Sequence, residues 1–346
     1  MKKNLTKKLM LSVLTLAFAV VSLGASTFAW FTLSGSVNVD KFGANVTGGY
    51  GLDISVSSVE DTDWDATKAT WYSGNLPLSA ITEVIGSEAK FDAVTPSSAN
   101  SLASFEDVNG EAVKLNKSYI AFNLNFKITD AASVNQDLYL YLDKLAVTNT
   151  VTPTAWTADM AYLYGGATEE QELEGGEKVT VNKEVITAGT KVTYDVLSAA
   201  RFAVVNGDKT TIYENNGAAT PQADGKNSVG FSNYGAVDYY NKKLNLSEDK
   251  DLDVPATEDQ YSTVKLDSFT KAEQCLSLYT FGKYDSSKSA AENTADDIVT
   301  ITVYVWVEGW DAECINAIFN QNITVEISCA IYKKVKEGET ETLVRI

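Results

Sequence analysis

Three short acidic runs carry the residues whose types and spacing could do chemistry. "EDTDWDAT" sets Asp61, Asp63 and Asp65 two apart, and "EDKDLDVP" repeats the spacing with Asp249, Asp251 and Asp253. Alternate acids open many calcium loops, because a hard cation needs several oxygens from one turn. Neither run has the glycine at the sixth position or the glutamate at the twelfth that an EF-hand requires. Both therefore read first as solvated acidic loops, and only second as calcium sites of another kind. The third run, "VEGWDAEC", places Glu308, Asp311 and Glu313 beside Cys314. A carboxylate pair can hydrolyse a glycosidic bond when the two converge in a cleft, but neighbouring acids on one loop do not show that convergence. The run reads as a tight strand-to-helix corner with Gly309 at the bend and Asp311 placed to cap a helical turn.

The chain contains no histidine. Ser-His-Asp and Cys-His catalysis, His-ligated zinc and zinc-protease chemistry are all removed by that one absence. Three cysteines, Cys275, Cys314 and Cys329, fit neither a disulfide framework nor a CxxC metal site. Cys329 shares a strand face with Ile323, Val325, Ile327 and Ile331 in "NITVEISCAIYKK" and reads as a core thiol. Cys275 and Cys314 are left as the candidate disulfide pair of an exported chain. The tyrosines Tyr139, Tyr141, Tyr162, Tyr164, Tyr239 and Tyr240 suit either a carbohydrate-stacking surface or, more commonly, cross-strand packing. None of this amounts to a catalytic constellation, and neither an enzyme nor a resident cofactor is expected.

The elements that must position these residues are mostly strands. In "SYIAFNLNFKI", Ile120, Phe122, Leu124, Phe126 and Ile128 point one way and Tyr119, Ala121, Asn123, Asn125 and Lys127 the other, a period of two with one buried face. "DLYLYLDKLAV" repeats the pattern after a turn-rich stretch, and the two read as an antiparallel pair. "DIVTITVYVWVEGW" is apolar on much of both faces and is expected at the centre of its sheet. "KVTVNKEVITAGTKVTYDVL" reads as a hairpin turning near Ala188-Gly189, inside an insertion around 151–199 that interrupts one domain spanning 30–346. Together these predict an all-β fold, an antiparallel β-sandwich of jelly-roll or immunoglobulin-like type, with an inserted hairpin and minor helix.

The 28 Lys and Arg against 46 Asp and Glu give a net charge of −18. Phosphate neutralisation needs a basic face, so a nucleic-acid partner is excluded, while a self-repelling acidic surface suits the outside of a cell.

The first residues are the exception to that acidity. "MKKNLTKK" is followed by a stretch without charge from 9 to 39, of which "LMLSVLTLAFAVVSL" has the length of a signal-peptide apolar region. Small residues then lead to Thr27-Phe28-Ala29, which favours cleavage between Ala29 and Trp30 by a signal peptidase, giving a secreted or surface-exposed chain. Losing Lys2, Lys3, Lys7 and Lys8 would take the charge from −18 to −22. The competing reading keeps residues 1–29 as an uncleaved membrane anchor, with Trp30 at the outer interface. Contact with a membrane is expected through this segment alone.

"STFAWF" after a basic and apolar leader resembles the end of signal peptides processed by the SipW-type peptidase of Gram-positive bacteria and their wall-less relatives. Its best-known cargoes are the camelysin and TasA-like biofilm-matrix proteins. "VNVDKFGANVTGGYGLDISVS" and, more distantly, "SYIAFNLNFKITDAASVNQDLYLYLDKLAV" extend the likeness. "AARFAVVNGDKTTIYENN", "GAVDYYNKK" and the stretch from "ITVYVWVEGW" to "SCAIYKK" are similar to segments of larger exported proteins with this leader. The resemblance implies a structural subunit of a fibre or surface layer, with no enzymatic role. It also implies strand donation, in which "WFTLSGSVNV" completes a neighbour's sheet and Trp30, Phe31, Leu33, Val37 and Val39 fill its pockets. Head-to-tail donation does not close, so the implied partner is a further copy in a homo-oligomer or filament. The alternative function is a membrane-anchored surface adhesin or glycan-binding module. The metalloprotease activity attached to the camelysin name is not carried over, for want of any histidine.

Overall fold

The computed structural model describes residues 44–48, 51–87, 89–128, 138–164, 168–172, 178–182, 185–214, 231, 234–244, 252, 254–256, 259–265, 276–281, 298–318, 321–337 and 340–345. Strands dominate them, in several largely antiparallel sheets, as the period-two patterning requires. Helices are few among the described residues: α1 (Leu78–Ile85), α2 (Val196–Ala199), α3 (Ala236–Leu244) and a 3-10 turn at Asn316–Ile318.

The larger sheet has nine strands. In spatial order it runs β17 (Val264–Lys265), β16 (Lys209–Glu214), β15 (Ala200–Asn206), β19 (Ile298–Glu308), β7 (Ile120–Ile128), β2 (Leu52–Ser57) and β3 (Tyr72–Ser73). The hairpin of β5 (Ala93–Ser98) and β6 (Ser101–Asp107) joins it where β5 runs parallel to the end of β19. The smaller sheet runs β18 (Leu276–Phe281), β8 (Leu138–Thr148), β20 (Thr324–Glu337), β1 (Ala44–Gly48) and β4 (Asn75–Leu76), and β21 (Thr340–Arg345) also pairs with β20. β1 lies parallel to β20 at Val325 to Cys329, and β21 takes the stretch from Tyr332 to Glu337, so the two meet end to end along one strand.

β19 is central, flanked by β7 and β15, although its second face is partly open, with Ile298 and Thr300 exposed on it. Val299, Ile301, Val303, Val305 and Val307 lie in the main core with Phe122, Leu124 and Phe126 of β7. Leu138, Leu140 and Leu142 of β8 and Val325, Ile327, Cys329 and Ile331 of β20 belong to the same core, so both sheets share it. Each fully buried side chain of this size contributes about 1.5–3 kcal/mol. On the other face of β19, the Thr300 and Thr302 hydroxyls donate to Asn125 and Asn123 of β7 at 2.7 and 2.8 Å. Further along that face, Trp306 enters a second core cluster with Phe105, Tyr119, Ala121 and Tyr261.

Two expected pairings are corrected. β7 and β8 are not partners: β7 pairs with β2 and β19, while β8 pairs with β18 and β20 in the other sheet. Their matching alternation reflects two sheets facing one core, not one ladder. The turn near Ala188-Gly189 is present, with Thr190 N–H donating to Thr187 O at 3.1 Å and Gly189 at φ +87°. Its flanks pair outward, however. β13 (Val185–Ile186) pairs with β10 (Tyr162–Leu163), and β14 (Lys191–Val192) with β9 (Trp156–Thr157). With β11 (Thr168–Glu172) on β12 (Lys178–Asn182), these ladders nest as one interrupted antiparallel ribbon.

Candidate functional site

The chemistry-bearing residues of this chain gather at one end of the nine-stranded sheet, in its interior. Arg201, second residue of β15, is directly opposite Glu214 on β16 and Trp306 on β19. Two residues past Trp306, on the same face, comes Glu308, and a tight turn closed by Asp311 N–H to Glu308 O (3.2 Å) carries the chain round to Asp311. The Asp311 carboxylate accepts the Glu313 N–H at 3.0 Å, which orders the next turn. Arg201, Glu214, Glu308, Asp311 and Glu313 are all buried, Arg201 only 1 % exposed and Glu308 and Asp311 0 %.

The guanidinium is divided between partners. Its Nη2 meets Asp311 Oδ2 at 2.9 Å and Glu214 Oε2 at 3.6 Å. Nη1 donates to the carbonyls of Ser198 and Ala200 at 3.0 and 3.2 Å, and Nε has no partner among the described residues. Glu308 is held differently, by neutral donors from four directions. Tyr261 OH makes a short hydrogen bond to its Oε2, which also accepts Trp306 Nε1 at 3.2 Å and Thr95 Oγ1 at 3.3 Å, while Oε1 accepts the Trp310 N–H at 3.2 Å. Glu313 accepts the Tyr164 hydroxyl at 2.5 Å.

Burial sets the charges of this cluster. Desolvation pushes Asp311 up to about 7, against the opposing pull of Arg201 and with help from Glu313. Desolvation likewise raises Glu308, although Arg201, Tyr261, Trp306 and the Trp310 N–H all favour its ionised form. Burial disfavours the charge of Arg201, but Tyr261, Asp311, Glu214 and Glu308 more than restore it, and it stays a cation. Asp311, its proton affinity raised beside a buried cation, can store a proton near neutral pH. With Tyr261 closing over it, the cluster is not open to a substrate.

The corner 308–315 also ties down its surroundings. The Ala312 carbonyl accepts the Ala236 N–H at 2.9 Å at the start of α3, and Gly235 lies so close that a Cβ there would meet Ala312 O at 2.1 Å. Gly235 N–H in turn donates to Leu163 O on β10 at 2.8 Å. The helix beyond the corner is a single 3-10 turn, and Asp311 serves the guanidinium and the turn together.

The other singled-out residues fall as follows. Asp61, Asp63 and Asp65 stay on their own loop: Asp61 accepts the Asp63 N–H at 3.1 Å, and Asp65 accepts Thr67 N–H at 2.9 Å and pairs with Lys68 at 2.9 Å. Among the described residues no group of three or more acids or cysteines is arranged to hold a metal ion. Asp249, Asp251 and Asp253 lie outside the described residues, as do Cys275 and the leader and donor positions Ala29, Trp30, Phe31, Leu33, Val37 and Val39. Cys314 is a free, buried thiol, as is Cys329 in the core. Tyr141, Tyr162, Tyr164, Tyr239 and Tyr240 are buried and pack on one another or on neighbouring rings, which corrects the stacking-surface reading for them. No helix of the described residues is long and apolar enough to cross a membrane. Sequence reasoning missed Arg201, Glu214 and Tyr261. The available signal was an arginine inside the otherwise apolar run "AARFAVV".

No family model, no curated protein and no solved structure matches this chain.

Proposed function

We propose that this protein is an exported structural subunit of the cell surface or extracellular matrix, assembled by strand donation from its N-terminal segment. The supposed fold is an antiparallel sandwich of the two principal sheets, which already contribute to one core. The observation that carries the reading is the placement of β1. It is the first described strand, it follows directly on the segment expected to be donated, and it lies parallel to β20 in a sheet whose other ladders are antiparallel. A strand added to a pre-existing edge takes its direction from that edge and not from a hairpin, and backbone hydrogen bonds supply its grip. In a filament a strand arriving from a neighbour would displace β1 from that edge of β20, and such an exchange repeats without closing.

The test compares a chain starting at Trp30 with one lacking residues 30–39, by electron microscopy and sedimentation. The first is expected to form filaments and the second to remain dispersed. If the shortened chain polymerises as the longer one does, strand donation is wrong. Mass measurement of the native N-terminus decides separately between cleavage before Trp30 and an intact anchor.

A further inference from the structure

β21 leaves an open edge on the smaller sheet. Among the described residues it pairs with β20 alone, Thr340–Arg345 against Tyr332–Glu337, without a bulge or break. The strand contains neither proline nor glycine, and all of it except the half-buried Leu343 is exposed, Val344 at 39 %. Other edges are blunted. β3, β4 and β17 are two residues long, β18 carries a bulge, and β6 is covered in part by the bridge of Glu106 to Ala112. A regular open edge is a template for another strand unless its side chains refuse one.

We infer that the outer edge of β21 receives the same edge of a second copy, antiparallel about a two-fold axis at Leu343, so that the two smaller sheets continue as one. The side chains select this occupant. Turned on itself about Leu343, the strand "TETLVR" sets Glu341 opposite Arg345 of the second copy, Thr342 opposite Val344, and Leu343 opposite Leu343. Facing residues share one side of a sheet, so opposite charges meet twice and the two leucines meet on the axis. The neighbouring symmetric registers, centred on Thr342 or Val344, set Leu343 opposite Glu341 or Arg345 instead and lose both ion pairs.

The contacts already made at this edge leave room for the second copy. Glu341 meets Lys334 at 3.7 Å and Arg345 Nη1 meets Asp143 at 2.8 Å, but the Glu341 side chain is 56 % exposed and that of Arg345 52 %, so each has atoms to offer a further partner. Leu343 already packs on the outer-face cluster of Tyr141, Ala330 and Tyr332, which a second Leu343 would extend. The contact is isologous and closes at two copies. One strand on one strand is a small interface, so the dimer is weak and concentration-dependent. It uses a different strand from the donation reading and stands without it.

Cysteine crosslinking in the full chain tests the register. Leu343→Cys puts two thiols on the axis within reach of a disulfide, because paired residues hold their Cβ atoms about 4.5–5.5 Å apart. Under mild oxidation this variant is expected to give a covalent dimer well above the unaltered chain. Thr340→Cys, about 20 Å from its copy in this register, should not. In the Leu343→Cys background, Glu341→Arg and Arg345→Glu should each slow crosslinking about tenfold, by setting like charges opposite one another twice. An equal mixture of the two should recover it, since the mixed dimer restores both opposite-charge pairs. Crosslinking of both cysteine variants alike, or of neither, overturns the inference, and so does a mixture no faster than its parts. The cysteine pair decides the matter should a charge variant fail to fold. No readout depends on donation from the N-terminal segment, so the two readings fail separately.

Discussion

Replacing Arg201 by methionine removes a cation that lies 1 % exposed, 2.9 Å from Asp311 and 3.6 Å from Glu214. Breaking a buried pair in this way costs about 3–5 kcal/mol, because the remaining charge must be kept without its counterion. The cost depends on pH, and the sign can be worked out. The folded pKa of Asp311, about 7, stands above its ordinary 3.8. Its protonated form therefore contributes stability that is complete below pH 3.8 and is lost as pH rises through 7, about 4 kcal/mol in all at roughly 1.4 kcal/mol per unit. Arg201 limits that loss by favouring the ionised form, so its removal drives Asp311 further up and prolongs the fall. At pH 5 Asp311 is protonated with or without Arg201, and the penalty shrinks by about 1–2 kcal/mol relative to pH 8. Urea unfolding of both proteins at pH 5 and pH 8 measures the difference directly. A variant within about 1 kcal/mol of wild type at pH 8, or a penalty larger at pH 5 than at pH 8, refutes the reasoning.

Two further substitutions probe the joints around the cluster. Gly235→Ala places a Cβ 2.1 Å from the Ala312 carbonyl oxygen at φ +58°, and should cost more than about 2 kcal/mol in chemical denaturation, whereas a neutral result would mean the corner yields freely. Buried Gln321 accepts from Asn149 and from the Val196 N–H and donates to the Tyr194 and Ala317 carbonyls. Gln321→Leu should lower stability by about 2–4 kcal/mol, read as a reduced urea midpoint at unchanged slope.

What the sequence made legible was local. The alternation in "SYIAFNLNFKI" and "DIVTITVYVWVEGW" correctly gave two strands and the central place of the second, because side-chain direction is set residue by residue. A single buried face is too narrow for the first, since Tyr119, Ala121 and Asn125 on its other face are buried as well. Partner choice was not legible. Leu138, Leu140 and Leu142 suit either a ladder beside β7 or a facing sheet, and only the whole topology decides between them. The cluster stayed hidden for the same reason. Glu308, Asp311 and Glu313 sit within six residues, but what makes them a site is Arg201, more than 100 residues earlier, and Tyr261 between. An arginine in an apolar strand announces a buried acid without saying which one.

The meeting of β1 and β21 on β20 also governs how the chain bears tension. A pull drawn through the N-terminal side of β1 acts along the strand axis, so the hydrogen bonds from Ala44 to Gly48 share the load at once. A pull through Arg345 acts across β21, parting one bond at a time from Tyr332 towards Glu337. The same strand therefore grips strongly on its N-terminal side and unzips on its C-terminal side. Under force, β21 is the sacrificial element that lengthens first, and β1 is the one that holds.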